Sequence, residues 1–376
     1  MVHLSKRLAG VDSITQAALG ATVGALVLGR KVGRPAIGWG ALLGTVPDLD
    51  ALLTPFLDTA WDLWIHRGFT HSLLCMLLVS LLLAKPFSKR WKKQKVTPQE
   101  AGIFVFLIWS THVLIDCFTT YGTQVFSPFS AYPVSFDNLF IMDPLFTLPL
   151  LVAVVLGLRI DLKRWKKREG VRITAICVGI SCVYVGLSFW AKYSVSQAIV
   201  RDLSERGVKW ERKMEAPAPF SILLWRGVVE REDEFWVGYR SILDGSAKIQ
   251  WTIYPKNEAV LQKWENSFEV DAVKRFSKGW LIARETQKGV WLVDLRFGEY
   301  REWDKRGLAL RPLFAWEYMP EGRGDPMKSR LKKERDFQTM LHRMWARIWG
   351  DQERWGGKTR LIGNPARPQE YLPTIW

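Results

Sequence analysis

The chain has 376 residues, enough for two domains, and a formal net charge of +16. Charge alone names no partner, and much of this charge lies in two loops between apolar segments, where Lys and Arg report membrane topology; nucleic acid is not an expected partner. The four cysteines (Cys75, Cys117, Cys177, Cys182) fall in apolar stretches without CxxC spacing, so they are expected to be small core residues and not metal ligands.

The long apolar runs end near residue 192, and the remainder is charged and Trp-rich. The expected architecture is a membrane α-helical bundle over 1–192, with about 4–6 membrane helices, some short or re-entrant. A soluble, mainly antiparallel-β (α+β) domain with a C-terminal helix is expected over 193–376. Lys6 and Arg7 precede an apolar run, but Asp12 and Gln16 interrupt its start, so no signal peptide is expected. Residues 14–29 are apolar and rich in Gly and Ala, and the spacing of Gly20 and Gly24 lets two helix backbones approach closely. Arg30, Lys31 and Arg34 form a basic turn. The apolar stretch 36–46, closed by Pro47, rises about 1.5 Å per residue and is too short for roughly 30 Å of hydrocarbon, so it is tilted, re-entrant or buried in protein.

Residues 50–65 form an amphipathic connector carrying Trp61 and Trp64, a residue type that favours the membrane interface. Apolar helices are expected over 72–87, 102–118, 140–158 and 173–190, with a polar, aromatic loop over 121–138. By the positive-inside rule the basic loops 85–95 and 159–172 are cytoplasmic. Asp12, Gln16, Asp48, Asp50, His66, His71, His112 and Asp116 then share the outer face, and the C-terminal domain is extracytoplasmic. In that domain residues 220–303 read as β-structure, with strands at 235–239 and 249–254 and a hairpin of 280–284 with 290–295; the alternation suits a sheet with one wet face. Residues 329–349 read as an amphipathic helix, the tail from Gly350 as irregular, and His342 as a surface or capping residue.

Three of the five histidines and three carboxylates lie beside segments apolar enough for a membrane, where ionisable groups are costly and mark function by default. His112 and Asp116, four apart, share one helix face. They suit two ligands on a divalent metal, or equally a buried His–Asp bond between helices. His66 and His71, five apart around Gly68, fit a loop followed by a first helical turn, or interfacial residues solvated by headgroups. Arg67 suits a phosphate or carboxylate through its planar fork, or a lipid phosphate reached by snorkelling. Asp48 and Asp50 follow Pro47 in a turn that faces either a metal or water. Mixed His and carboxylate ligands favour Zn, Mn or Fe over Mg or Ca, and hydrolysis requires an open metal position.

The motifs Asp12-Ser13-Ile14-Thr15-Gln16, Pro47-Asp48-Leu49-Asp50, His66-Arg67-Gly68-Phe69-Thr70-His71-Ser72 and His112-Val113-Leu114-Ile115-Asp116 occur in this order. Together they resemble the YdjM-like family of membrane-bound metal-dependent hydrolases over roughly residues 11–190. Many members of that family have His at the position of Gln16, so the resemblance gives no support here for a second metal near the N-terminus. More distantly the pattern is similar to the all-helical zinc phospholipase C and single-strand nuclease superfamily. That likeness implies Asp50 or Asp48, His66, His112 and Asp116 as ligands and phosphodiester hydrolysis as the chemistry.

The expected function is a multi-pass inner (plasma) membrane hydrolase that uses a divalent transition metal, zinc above others. It would act at the outer face on a phosphoester or lipid-linked substrate, with membrane lipid as partner. The expected metal ligands are Asp50, His66, His71, His112 and Asp116, with Asp48 as base and Arg67 as phosphate binder. The alternative is a non-enzymatic scaffold or sensor with a structural metal and a partner-binding C-terminal domain. A transporter fits less well, because the polar residues gather at one face and not along a midplane path.

Overall fold

The structure, a computed structural model, describes residues 2–140, 142–245, 248–298, 314–321, 324–329 and 337–351, with side chains from Ser13 onward and, in the last helix, from Leu341. The Asp12 side chain, residues 299–303 at the end of the expected β region, residues 330–336 and the tail beyond residue 351 lie outside the described residues. Two compact units divide the chain: Met1–Leu57, Trp61–Ser188 and Pro219–Ser221 form the first, and Asp58–Ala60, Phe189–Ala218 and Ile222–Trp376 the second.

The first unit is helical, with α1 (Val2–Val32), α2 (Arg34–Thr45), α3 (Thr59–Ile65), α4 (Leu73–Arg90), α5 (Pro98–Phe118), α6 (Pro144–Arg159), α7 (Leu162–Lys166) and the first part of α8 (Glu169–Glu205). Two 3-10 turns, Pro47–Leu52 and Thr54–Phe56, precede α3, and a third, Phe69–His71, precedes α4. Start signals explain several of these elements. The Ser72 hydroxyl accepts from Cys75 N–H at the head of α4. Thr97 and Glu100 form a capping box around Pro98 at the head of α5, and the Asp143 carboxylate accepts from Leu145 N–H at the head of α6.

Glycines make the α1–α2 pair. A methyl group on Gly44 would come 2.7 Å from the Gln16 carbonyl oxygen, and one on Gly20 would come 2.8 Å from Gly44 Cα and nearer still to the Gly40 carbonyl. Only hydrogen fits there, so the two backbones touch, as small-residue seams allow in a bilayer. The seam therefore sets the tail of α2 against Gln16.

Among the described residues α5 and α8 are long and apolar enough to cross a membrane. Two bent pairs, Arg34–Thr45 with Pro47–Phe56 (46°) and Thr59–His71 with Leu73–Arg90 (50°), raise that number to four if each is one span. This number and the expected four to six meet at four; α6, with 16 residues, is not among the spans, since it reaches only about 24 Å at 1.5 Å per residue. Exposed Leu77, Leu78, Leu81 and Leu82 on α4 and Ile176, Ile180 and Val183 on α8 provide an apolar exterior suited to lipid.

The last apolar helix was expected to end at 190, yet α8 continues to Glu205. Ala191, Val195, Ile199 and Leu203 recur every four residues and are all buried, which gives this polar-looking segment an apolar stripe. Ile199 lies against Gly227, where an added methyl would approach it to 2.6 Å.

In the second unit β1 (Arg212–Pro217), β2 (Leu224–Glu230), β3 (Glu234–Ser241) and β4 (Trp251–Pro255) form one antiparallel sheet in sequential order. After α9 (Glu258–Gln262) and α10 (Phe268–Ser277), β5 (Leu281–Thr286), β6 (Gly289–Asp294), β7 (Ala315–Tyr318) and β8 (Met327–Ser329) form a second. Met214, Val228, Phe235, Val237 and Tyr254 of the first sheet pack with Trp280, Ile282, Trp291 and Val293 of the second segment in one core. The expected wet face is absent along β2, which is buried at every position; it lies between β1 and β3, and Ile199 covers Gly227 on it. The expected hairpin is present as β5 and β6, with Thr286 opposite Gly289. The C-terminal helix is α11 (Phe337–Ile348), on which His342 is exposed.

Candidate metal centre

Four side chains converge in the first unit. His112 and Asp116 lie one turn apart on α5, His71 ends the 3-10 turn before α4, and Asp48 is the second residue of the 3-10 turn that Pro47 opens after α2. One ligand atom from each lies within 4.8 Å of all the others. His71 Nε2 is 3.2 Å from Asp48 Oδ1, 3.2 Å from Asp116 Oδ2 and 3.2 Å from His112 Nε2. His112 Nε2 is 3.5 Å from Asp48 Oδ1 and 3.5 Å from Asp116 Oδ2. Ligands about 2.0–2.1 Å from a tetrahedral zinc are about 3.3–3.4 Å apart, which is the scale of these separations.

The surrounding hydrogen bonds decide where the protons are. His112 Nδ1 lies 2.7 Å from the Gly44 carbonyl oxygen, which only accepts, so Nδ1 carries the proton and Nε2 presents a lone pair. Thr70 Oγ1 donates to Asp50 Oδ2 at 3.1 Å, which leaves its oxygen to accept from His71 Nδ1 at 2.8 Å. In the neutral ring the His71 Nε2 then also presents a lone pair. Gln16 Nε2 donates to Asp116 Oδ1 at 2.8 Å, and Arg67 Nη2 stands 3.2 Å from the same oxygen. Asp116 Oδ2 is buried and receives no hydrogen bond. With both rings neutral and their protons on Nδ1, two imidazole nitrogens and two carboxylate oxygens face one point. A buried acceptor left so is costly, and a cation at that point removes the cost. The donor set fits a divalent transition metal.

Of the ligands expected from sequence, the structure gathers His71, His112 and Asp116 and joins Asp48 to them. Asp50 and His66 form a pair of their own, His66 Nδ1 lying 3.2 Å from Asp50 Oδ1. Asp50 Oδ2 takes the Arg67 backbone N–H at 2.9 Å and the Thr70 hydroxyl, which places Asp50 behind His71 on its Nδ1 side. Arg67 is buried: Nη1 donates to Thr119 Oγ1 at 3.1 Å, and the guanidinium lies over the Tyr121 ring at 5.0 Å. Its backbone has φ of 53°, unusual for a residue with a side chain and held by bonds from its N–H to Asp50 and to its carbonyl from Gln124 N–H. Sequence reasoning missed Gly44, Thr70 and Thr119. Gly44 acts through its carbonyl and leaves no side-chain signal, whereas Thr70 sits inside the His66–Ser72 motif.

The comparisons with known proteins concern this helical part. The inner membrane protein YbcI of Escherichia coli (strain K12) is 34% identical over 113 residues, 30% of this chain and 63% of YbcI. The uncharacterized protein YfhP of Bacillus subtilis (strain 168) is 27% identical over 153 residues, 39% of this chain and 46% of YfhP. The chain therefore spans about half to three-fifths of the length of these relatives. No solved structure matches. Residues 11–195, which hold all four converging side chains as well as Gln16, Thr70 and Arg67, match the family model described as the YdjM inner membrane protein.

Proposed function

We propose that the chain is a membrane-bound, metal-dependent hydrolase that cleaves a phosphoester or lipid-linked substrate at the outer face of the inner membrane. The observation that carries the reading is the convergence of one ligand atom from each of four metal-ligating side chains, three of them buried, within 4.8 Å of one another. Asp48, His71, His112 and Asp116 would hold the metal, and the mixed nitrogen and oxygen set favours zinc. Such a metal, when bound, supplies Lewis acidity and acidifies water near neutral pH. The protein's own part is positioning. Gln16 and Arg67 fix one oxygen of Asp116 and leave the other for the metal; Thr70 and Asp50 orient His71, and Gly44 orients His112. Partners of this kind are known to set ligand geometry and basicity. The assignment of Arg67 to substrate phosphate gives way to this role, because its fork is engaged by Asp116 and Thr119. Asp48, with 19% of its side chain exposed, is the member we assign to take a proton from attacking water.

Two features support an amphiphilic substrate. The turns that carry Asp48 and His71 also carry exposed Leu49, Leu52 and Phe69, and exposed Leu53 and Phe56 follow directly after the first of them. The basic loops 85–95 and 159–172 orient these turns outward under the positive-inside rule, which also makes the β unit extracytoplasmic. The likeness to the zinc phospholipase C superfamily points to phosphodiesters as the first substrates to try.

The test is elemental analysis of the purified protein joined to a screen of phosphoester and lipid substrates. One transition metal per chain and hydrolysis that is lost in His112→Ala support the proposal. A metal-replete protein whose activity is unchanged by that substitution defeats it. A second reading, a structural metal in a membrane scaffold or sensor, draws on one observation: four protein donors are enough to close a tetrahedral shell.

A further inference from the structure

The choice between a closed and an open shell turns on how each ligand is held. His71, with its side chain 0% exposed, is anchored through Thr70 to Asp50. His112, 1% exposed, is anchored on the Gly44 carbonyl. Asp116, also 1% exposed, is held at Oδ1 by Gln16 and Arg67. Asp48 differs on both counts: it is 19% exposed, and among the described residues its carboxylate meets only the imidazoles of His71 and His112. Among the described residues no donor braces it from behind. It also lies on a 3-10 turn, between Pro47 that opens the turn and exposed Leu49, and not on a long helix.

We propose that the shell consists of three fixed ligands and one exchangeable ligand, and that Asp48 is the position at which an anionic oxygen of a phosphoester enters. The proposal rests on the hydrolase reading and names the side from which that site is reached. Displacing His71, His112 or Asp116 would leave a buried group and its bracing partners unpaired, a loss that desolvation makes expensive. Displacing Asp48 returns a carboxylate to water on the side already open to it. The exchange also conserves charge, because a singly charged carboxylate oxygen is replaced by a singly charged phosphodiester oxygen. No covalent bond is made or broken in this step.

Cobalt(II) titration of the full-length, metal-stripped protein in detergent tests it, since the intensity of cobalt's visible absorption separates four-coordinate from five-coordinate sites. The wild type is expected to take one cobalt with a strong four-coordinate spectrum, and inorganic phosphate is expected to shift that spectrum. Asp48→Asn is expected to retain one cobalt with affinity lowered by about tenfold, the effect of a supporting interaction, whereas Asp116→Ala loses more than roughly 100-fold. A phosphate-insensitive spectrum in the wild type overturns the exchange, and needs no variant to fold. Loss of cobalt from Asp48→Asn as complete as from Asp116→Ala overturns it as well. A wild type that takes no stoichiometric cobalt overturns the metal site itself, an outcome separable from the other two.

Discussion

The two units of the chain treat buried charge in opposite ways. In the β unit Arg347 of α11 meets Asp244 with two parallel bonds of 2.6 and 2.7 Å and adds a third to the Tyr239 carbonyl at 3.0 Å. Both side chains are nearly inaccessible, and each charge of this pair has its opposite. In the helical unit two carboxylates and two imidazoles crowd together, and Arg67 meets one carboxylate from the side. Proteins rarely bury like donors face to face without a reason. The β unit shows what this chain does when charge serves packing. The contrast makes the helical cluster a place built for something added.

The comparison can be broken by substitution. The largest effect is expected from Arg347→Ala, which strands Asp244 in the core and destabilises the β unit by about 3–5 kcal/mol. Denaturant unfolding of the β unit reads the loss, and metal content should not change. Next comes His112→Ala, which is expected to lower metal affinity more than about 100-fold. Competition with a chelator measures it; an unaltered affinity would return the cluster to the status of an ordinary polar contact. Gln16→Ala removes one of two supports on Asp116 and is expected to cost about 10-fold to 100-fold in affinity, with one metal still bound. Thr97→Ala removes a helix cap at the far end of α5 and is expected to cost about 1 kcal/mol of stability in a thermal melt with no change in metal affinity. That last variant separates loss of fold from loss of site.

Much of the site is legible in the sequence because helical spacing is rigid: His112 and Asp116, four apart, lie on one face as expected. The two aspartates of the Pro47 turn are not so readable. A 3-10 turn sends residues two apart in different directions, so whether Asp48 or Asp50 meets the histidines is decided by tertiary structure. His66 and His71 are separated in the same way by the break at Gly68. In the fold, strands rich in aromatic and β-branched residues, such as Phe235-Trp236-Val237, are readable. β1 is not, since Arg212-Lys213-Met214-Glu215 has little strand character and is held by pairing with β2. The second part of α8 is hidden by its charges, because its apolar stripe is only one residue per turn wide.

The glycine seam between α1 and α2 has a consequence for metal affinity. Gln16 and Gly44 face each other across it, and each supplies one hydrogen bond that aims a ligand. A contact between side chains tolerates error, since rotamers adjust to small displacements. Backbone against backbone has no such play. The seam therefore acts as a fixed gauge: any residue larger than glycine at position 20, 40 or 44 widens it and carries both aiming groups away from α5 together. The precision of the centre is inherited from the absence of side chains within about one turn of each aiming group.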